Sequence, residues 1–490
     1  MLTVGILLGR LAGLVREVTL ASVLGASDQA DVAVLVLTFP DVLTAFLLSG
    51  AVSAVLVPEF TRRIAQGGAR ATFRDAELVV AGAALVLGAV VALAAGPLVG
   101  LLGPGLPRDS QGLASELVAI SAFALPLTAL AAVATAYLQS HRRFLTTALG
   151  TLIVNVILIA VLALAVRPGS LAPLAIGIVV AGAARWLVQR VDAARLRDAE
   201  GASSLREDLR RFGGRYGLAI AGTSALVLLP FAMRSLASLG GTGDVAIVNY
   251  ALRILELPLG AFITVGSIAA LPFLAELIAR GDQKGAVTLF RQLVLLTQIG
   301  TVPLALGGIL AAGPIALALY GRPAVGAAVV DIGAFAAIGM ASLPAQGLSS
   351  VAQAYLVARG RLAWLLAING IGLAGYVVLG AFLVATVGTR GVMLAYVMLH
   401  WSVMLALLIS AARDGAPIGA VLARDMVIAL VVAGTVLAVF FVIATALHGS
   451  AILTFALAAT GAVLALMLSL LPNYGGLAPR AALRSLFARQ

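Results

Sequence analysis

The sequence predicts an all-α integral membrane protein of about fourteen transmembrane helices. Three observations carry that prediction: the composition, a succession of long apolar runs, and the one-sided placement of basic residues between them. Of the 490 residues, 62% are hydrophobic and 11% are charged, and the mean hydropathy is +1.11. A soluble domain carries about 25% charged residues. A helix needs roughly 20 apolar residues to cross a bilayer, and runs of that length recur along the whole chain.

Taken in order, the spanning segments fall at 2–24, 32–57, 78–102, 113–139, 144–166, 171–190 and 216–239. They continue at 246–278, 287–319, 327–358, 362–387, 391–412, 425–447 and 451–471. The first is apolar but carries Arg10, Arg16 and Glu17, with no small-residue cleavage site after it, so it reads as a membrane helix and not as a cleaved leader. Pro40, Pro126, Pro230, Pro258, Pro303 and Pro344 lie inside segments. In a membrane such prolines mark kinks or breaks, because neighbouring helices re-satisfy the freed backbone groups.

The polar connections fix the order of crossings. With the N-terminus inside, the cytoplasmic side holds Arg62, Arg63, Arg70, Arg74, Arg142 and Arg143, then seven arginines from Arg190 to Arg215. It also holds Arg280, Lys284, Arg291, Arg359, Arg361, Arg413 and Arg424, and Arg480, Arg484 and Arg489 in the tail. The opposite side holds only Arg108, Arg167, Arg322 and Arg390, so the split is 23 to 4. This positive-inside asymmetry predicts that both termini are cytoplasmic. It also accounts for the net charge of +11 as loop anchoring, with no nucleic-acid partner. The chain has no cysteine and three dispersed histidines (His141, His400, His448), so thiol chemistry is excluded and no metal site or other cofactor is expected.

An internal repeat organises the first twelve segments. Ala94-Ala95-Gly96-Pro97 returns as Ala311-Ala312-Gly313-Pro314; Pro126 and Ala136-Tyr137-Leu138 return as Pro344 and Ala354-Tyr355-Leu356. Pro40 pairs with Pro258 and Arg143 with Arg361, all at offsets of 217 or 218. Six helices is an even number, so the halves share one orientation, the parallel-repeat plan of many secondary transporters. The organisation read from this is an N-terminal six-helix lobe (1–190), a basic cytoplasmic connection (191–215) and a C-terminal six-helix lobe (216–412). Two further helices with a basic tail (413–490) complete it.

Chemistry rests on arginines inside the spans: Arg10, Arg16, Arg234, Arg253 and, nearer an end, Arg185. Each costs roughly 2.5–3.5 kcal/mol at mid-membrane unless a partner or a wet cavity compensates. Arg10 and Glu17 share a helical face, Arg16 lies about 120° away, and Gly13 keeps the surface between them thin. Arg253 and Glu256 are three residues apart and can touch. Arg16 and Arg234 are repeat counterparts at the same offset. Two guanidinium groups facing one cavity repel unless an anion lies between them, and a phosphate or diphosphate accepts guanidinium bidentately. Asp31, at the mouth of the second helix, reads as a solvated helix-start carboxylate ahead of a gate; Asp41 follows Pro40 and could pair with a cavity arginine. Asn155 and Asn369 read as interhelical polar glue. No GxxxxGK[ST] loop is present, so the chain itself does not use nucleotide to drive transport.

These residues resemble a known family. Arg10-Leu-Ala-Gly13-Leu-Val-Arg16-Glu17, then Gly25, Ala30-Asp31, Phe39-Pro40 and Ser49-Gly50-Ala51-Val52-Ser53 through Pro58, is similar to the opening of the MurJ/MviN family. That family comprises lipid II flippases of the multidrug/oligosaccharidyl-lipid/polysaccharide exporter superfamily. Arg143-Phe144 with Asn155, Tyr250-Ala251-Leu252-Arg253 with Glu256 and Pro258, and Pro303 through Gly313-Pro314 to Tyr320-Gly321 extend the resemblance. It implies a V-shaped two-lobe bundle with a cationic cavity, which flips the lipid-linked peptidoglycan precursor outward by alternating access. It also implies residence in the bacterial cytoplasmic membrane, with cell-wall synthesis proteins as further partners. By the same resemblance Arg10, Arg16 and Arg253 match cavity arginines and Asp31 the helix 2 aspartate. The family's helix 2 arginine falls on Thr44 here, and Arg234 is the candidate replacement for its charge.

Two other readings stand beside this one: a flippase for another polyprenyl-diphosphate oligosaccharide, and a non-transporting scaffold for cell-wall synthesis. A membrane enzyme is disfavoured by short outer loops and the lack of paired carboxylates or histidines.

Overall fold

The computed structural model describes residues 2–48, 51–196 and 226–417, with 434–435 and 460–461. The basic connection beyond 196 and the two predicted C-terminal helices, apart from those last four residues, lie outside the described residues. The described residues are helical apart from short turns and loops, and among them the one β feature is an isolated bridge between Arg167 and Ser170.

The chain divides into two compact units, residues 1–246 with 322–326 and residues 247–321 with 327–490. In the first, the elements are α1 (Leu2–Leu24), α2 (Asp28–Leu48), α3 (Ala51–Gln66), α4 (Ala69–Leu93) and α5 (Ala95–Leu102). They continue with α6 (Arg108–Ser121), α7 (Ala124–Ser140), α8 (Leu145–Leu164), α9 (Ala172–Ala194) and, after a 3₁₀ turn, α10 (Leu229–Ser238). Helix α11 (Asp244–Ala279) begins in the first unit and runs into the second. There it is joined by α12 (Gln283–Tyr320), α13 (Ala328–Met340), α14 (Leu343–Ala358), α15 (Leu362–Val387) and α16 (Arg390–Arg413). Seven described helical segments are long and apolar enough to cross a membrane, or eight if the bent pair α13–α14 counts as one span. The chain is thus a multi-pass membrane protein.

Several predicted spans are each built from two helices. The 113–139 segment is α6 plus α7, and 327–358 is α13 plus α14, bent by 41°. Proline explains both breaks: Pro126 and Pro344 lack an N–H and crowd the carbonyl four residues back. The 78–102 segment breaks at Ala94, whereas its repeat counterpart, Gly313-Pro314, sits within the continuous helix α12.

The repeat extends to local packing. Tyr137 stacks on Phe73 at 4.3 Å, and Tyr355 meets Phe290 edge-on at 5.3 Å. Arg143 bonds Asp192 at 2.8 Å, and Arg361 bonds Asp414 at 2.8 Å. After α7 and after α14 the chain turns through a left-handed residue at the same repeat position, Arg142 (φ 58°) and Gly360 (φ 74°). Arg143 N–H then reaches back to the Leu138 carbonyl and Arg361 N–H to Leu356, both at 2.9 Å. These are helix-ending bonds of the type that a left-handed residue permits.

Candidate functional site

In the first unit, α1 packs along α8. Close approach is set by Gly9, where a Cβ would lie 3.1 Å from Thr151, and by Gly13, which faces the Asn155 amide. Asn155 donates to the Gly9 carbonyl at 3.2 Å, so it is interhelical glue, as its isolation in an apolar span suggests. One turn further along α1, Arg16 and Glu17 are 5% and 1% exposed and joined at 2.8 Å. Glu17 thus neutralises its neighbour; sharing a helical face does not pair it with Arg10, which is exposed. The buried Arg16 Nε has no hydrogen-bond partner. A buried donor left unmet costs roughly 1–3 kcal/mol, so this guanidinium retains capacity for an anion that Glu17 does not fill.

Arg234 on α10 is 7% exposed and donates to the Pro230 carbonyl at 2.9 Å. It belongs to the same compact unit as Arg16. Arg185 of α9 lies against α8, its Nε 3.1 Å from the place a Gly150 Cβ would occupy. Asp41 and Thr44 lie in α2, but their side chains are outside the described residues.

Asp31 departs from its expected role. It is fully buried, not solvated, and its carboxylate accepts the N–H groups of Gly243 and Ala246, each at 2.7 Å. It therefore caps the N-terminus of α11, where orphan donors and the helix dipole favour an anion. A helix-start carboxylate looks the same in sequence whether it meets water or the end of a helix far along the chain.

Around this cap the loops are locked. Gly25 (φ 66°) would place a Cβ 2.0 Å from the Ala324 carbonyl oxygen, and Gly243 (φ 84°) one 2.8 Å from that of Ala26. Only glycine fits such seats, and the two glycines are themselves repeat counterparts. Gly105 N–H donates to Ser238 at 3.1 Å, Ser235 to Leu101 at 2.8 Å, and Gly169 N–H to Gln29 at 2.8 Å. Every loop in this cluster falls on the side opposite the basic loops in the sequence-derived topology.

In the second unit, Arg253 and Glu256 form the expected pair at 2.7 Å, with side chains 25% and 54% exposed. Leu255, in the same turn of α11, lies against Gly339 at the end of α13. The bend between α13 and α14 is pinned from both sides: Trp401 of α16 donates to the Ala341 carbonyl at 3.0 Å, and Gln298 of α12 to that of Pro344 at 3.1 Å. The Gln346 amide donates to Ser342 at 2.8 Å and to the Tyr396 hydroxyl at 3.1 Å. The sequence reading does not single out Gln346, Ser350 and Gln353, although their spacing of four and three marks one helical face. Among the described residues, no group of three or more His, Asp or Glu is placed to hold a metal ion.

Comparison with known proteins agrees with this architecture. The profile of the family described as lipid II flippase MurJ matches residues 20–468. The lipid II flippase MurJ of Burkholderia cenocepacia is 28% identical over 323 residues, 63% of this chain and 62% of that protein. The probable lipid II flippase MurJ of Rhizobium tropici is 27% identical over 314 residues, 60% of this chain and 58% of its own length. The chain thus aligns with about three-fifths of the length of these relatives. Among solved structures, lipid II flippase MurJ in an inward closed conformation superposes with a TM-score of 0.78 at 18% identity, covering 96% of this chain and 97% of that one. An inward-facing multidrug resistance MATE transporter of the MOP superfamily gives 0.67 at 16% identity, covering 83% and 94%. With the family profile spanning nearly all of a repeated, proline-broken helical bundle, the chain belongs to the lipid II flippase MurJ family.

Proposed function

We propose that this protein moves lipid II, the polyprenyl-diphosphate-linked peptidoglycan precursor, from the inner to the outer leaflet of the bacterial cytoplasmic membrane. It does so without covalent chemistry, and both its termini are cytoplasmic. The observation that carries the reading is Arg16: a guanidinium buried within a spanning helix, with one donor spent on Glu17 and its Nε unmet. Such a group is expensive in a membrane and suits a diphosphate, which accepts two parallel N–H bonds. Arg10, Arg234 and Arg253 are the companion contacts, and Glu17 and Glu256 hold two of these four charges in place while no substrate is bound. Gly13 sets the depth at which α1 presents Arg16.

Alternating access requires the loop cluster around Asp31 to part so that the headgroup can leave, and the cap that Asp31 places on α11 is the bond to be broken. The bodies that alternate are the six-helix repeats, residues 1–190 and 216–412, joined by the basic 191–215 connection. Asp41 is a further carboxylate available to a substrate-free arginine. Thr44, standing where the family carries an arginine, favours one second reading, in which the glycan is a different polyprenyl-diphosphate oligosaccharide. Cell-wall synthesis proteins are the partners expected in either case.

The test is complementation of a strain depleted of its own lipid II flippase, with membrane expression checked. Wild type should restore growth, and Arg16→Ala, Arg234→Ala and Arg253→Ala should not. A well-expressed wild type that fails to rescue moves the assignment to the other glycan. Full activity of Arg234→Ala removes that residue from the substrate path.

A further inference from the structure

Helix α14 is almost wholly enclosed by the second unit. From Leu343 to Leu356 every residue is buried except three, Gln346, Ser350 and Gln353. All three are polar and share one face. Neighbouring α15 does the opposite, exposing Ile371, Val378 and Phe382 at 74%, 74% and 64%. In a membrane an accessible apolar face meets lipid, whereas an accessible polar face meets water or a polar ligand, because hydrocarbon cannot satisfy its hydrogen bonds. The single open stripe of α14 is therefore an aqueous one.

The stripe is also built to present hydrogen-bonding groups. Gln346 spends its amide hydrogens on Ser342 and Tyr396, which leaves its carbonyl oxygen fixed as an acceptor. Gln353 makes no hydrogen bond among the described residues, and Ser350 bonds its own helix at Gly347. Two polar atoms beside the stripe are buried without a partner: Ser349 Oγ, and Nε2 of His400, whose ring lies 4.5 Å from that of Tyr396. The network is thus incomplete. The stripe starts at the bend beside which Leu255 packs on Gly339, one residue from Glu256. In the other repeat the equivalent positions are Thr128, Ala132 and Thr135. There Thr128 bonds its own helix at Ala124, Thr135 donates to Gln189 of α9, and neither position carries an amide.

We infer that the Gln346–Ser350–Gln353 stripe is a recognition surface for the uncharged, hydroxyl- and amide-bearing part of the lipid headgroup, separate from the arginines that hold its diphosphate. This rests on the flippase reading and adds to it where the sugar–peptide portion is read. The repeats divide the work unequally, because only the second carries amide side chains on this face.

Full-length protein in lipid nanodiscs, titrated with lipid II and with undecaprenyl diphosphate, tests this. Wild type binds lipid II more tightly. Gln346→Leu/Gln353→Leu weakens lipid II by about tenfold to a hundredfold, one to two neutral hydrogen bonds' worth, and leaves undecaprenyl diphosphate within about twofold. Gln353→Leu, which breaks no bond inside the protein, shows a smaller loss of the same kind. Retained undecaprenyl diphosphate binding reports an intact fold. Unchanged lipid II binding in both variants, an equal loss for both lipids, or a wild type that does not prefer lipid II overturns the inference while leaving diphosphate capture by the arginines standing. Binding of neither lipid by wild type overturns the flippase reading and this inference with it.

Discussion

Two side chains set the terms at the scale of single residues. Asp31 spends both carboxyl oxygens on backbone donors at the start of α11, and each buried N–H left unmet on losing them costs about 1–3 kcal/mol. Asp31→Ala should therefore destabilise the closed loop cluster by about 2–4 kcal/mol. Because the chain has no cysteine, Ala237→Cys, at a buried position of α10 in the cluster, should become reactive toward a polar thiol reagent only when combined with Asp31→Ala. Equal labelling with and without the aspartate would deny the cap its role. Arg142 carries the opposite imbalance. It holds a left-handed conformation that costs an L-residue about 1–2 kcal/mol, and its repeat counterpart is a glycine. Arg142→Gly should raise stability by about 0.5–1 kcal/mol after the added entropy of the unfolded chain is deducted, read as a higher midpoint of thermal unfolding in detergent.

At the scale of elements, the turns that join helices divide into open and seated ones. Gly360 has nothing within 4 Å of a built Cβ, whereas Gly25 faces a carbonyl oxygen at 2.0 Å. Gly360→Ala should cost about 1 kcal/mol, the left-handed backbone alone. Gly25→Ala should cost more than about 3 kcal/mol, because backbone must move as well; similar losses at the two sites would contradict the seated geometry. At the other end of the second repeat, hydrogen bonds from Arg361 to Asp414 hold that carboxyl below the ordinary aspartate range. A depressed carboxyl pKa stabilises the fold above its unfolded value, near 3.8, and that contribution fades as pH falls through the lower folded value. The protection factors of the amides in residues 355–362, which are exchange rates corrected for their intrinsic pH dependence, should thus be unaffected by this contact from neutral pH to about pH 5 and fall in more acid solution. Asp414→Asn should abolish that acid limb. These element ends were only partly legible in the sequence. Pro126 and Pro344 announce the bends, and the repeat offset pairs Arg143 with Arg361. Their acceptors Asp192 and Asp414 are separated by a longer interval than the offset, so no register read from the sequence pairs them.

At the scale of the whole molecule, apolar runs and loop charge make the helical membrane class readable from composition and order alone. Bilayer physics leaves few alternatives to a helix for such segments. The family is legible too, since Arg10, Gly13, Arg16 and Glu17 fall in one specific spacing. Partners are less so. Nothing local marks Asp31 as buried, and the polar face of α14 gains meaning only once its remaining surface is known to be covered. A consequence of the pinned bend lies in how the protein could be watched. The chain has three tryptophans, and Trp401 donates its indole N–H to Ala341 where α13 gives way to α14. If the bend straightens, that carbonyl regains a partner in its own helix and the indole is released. The colour and lifetime of Trp401 emission, isolated by replacing Trp186 and Trp364 with phenylalanine, would then report each cycle of the protein in real time, with no dye attached.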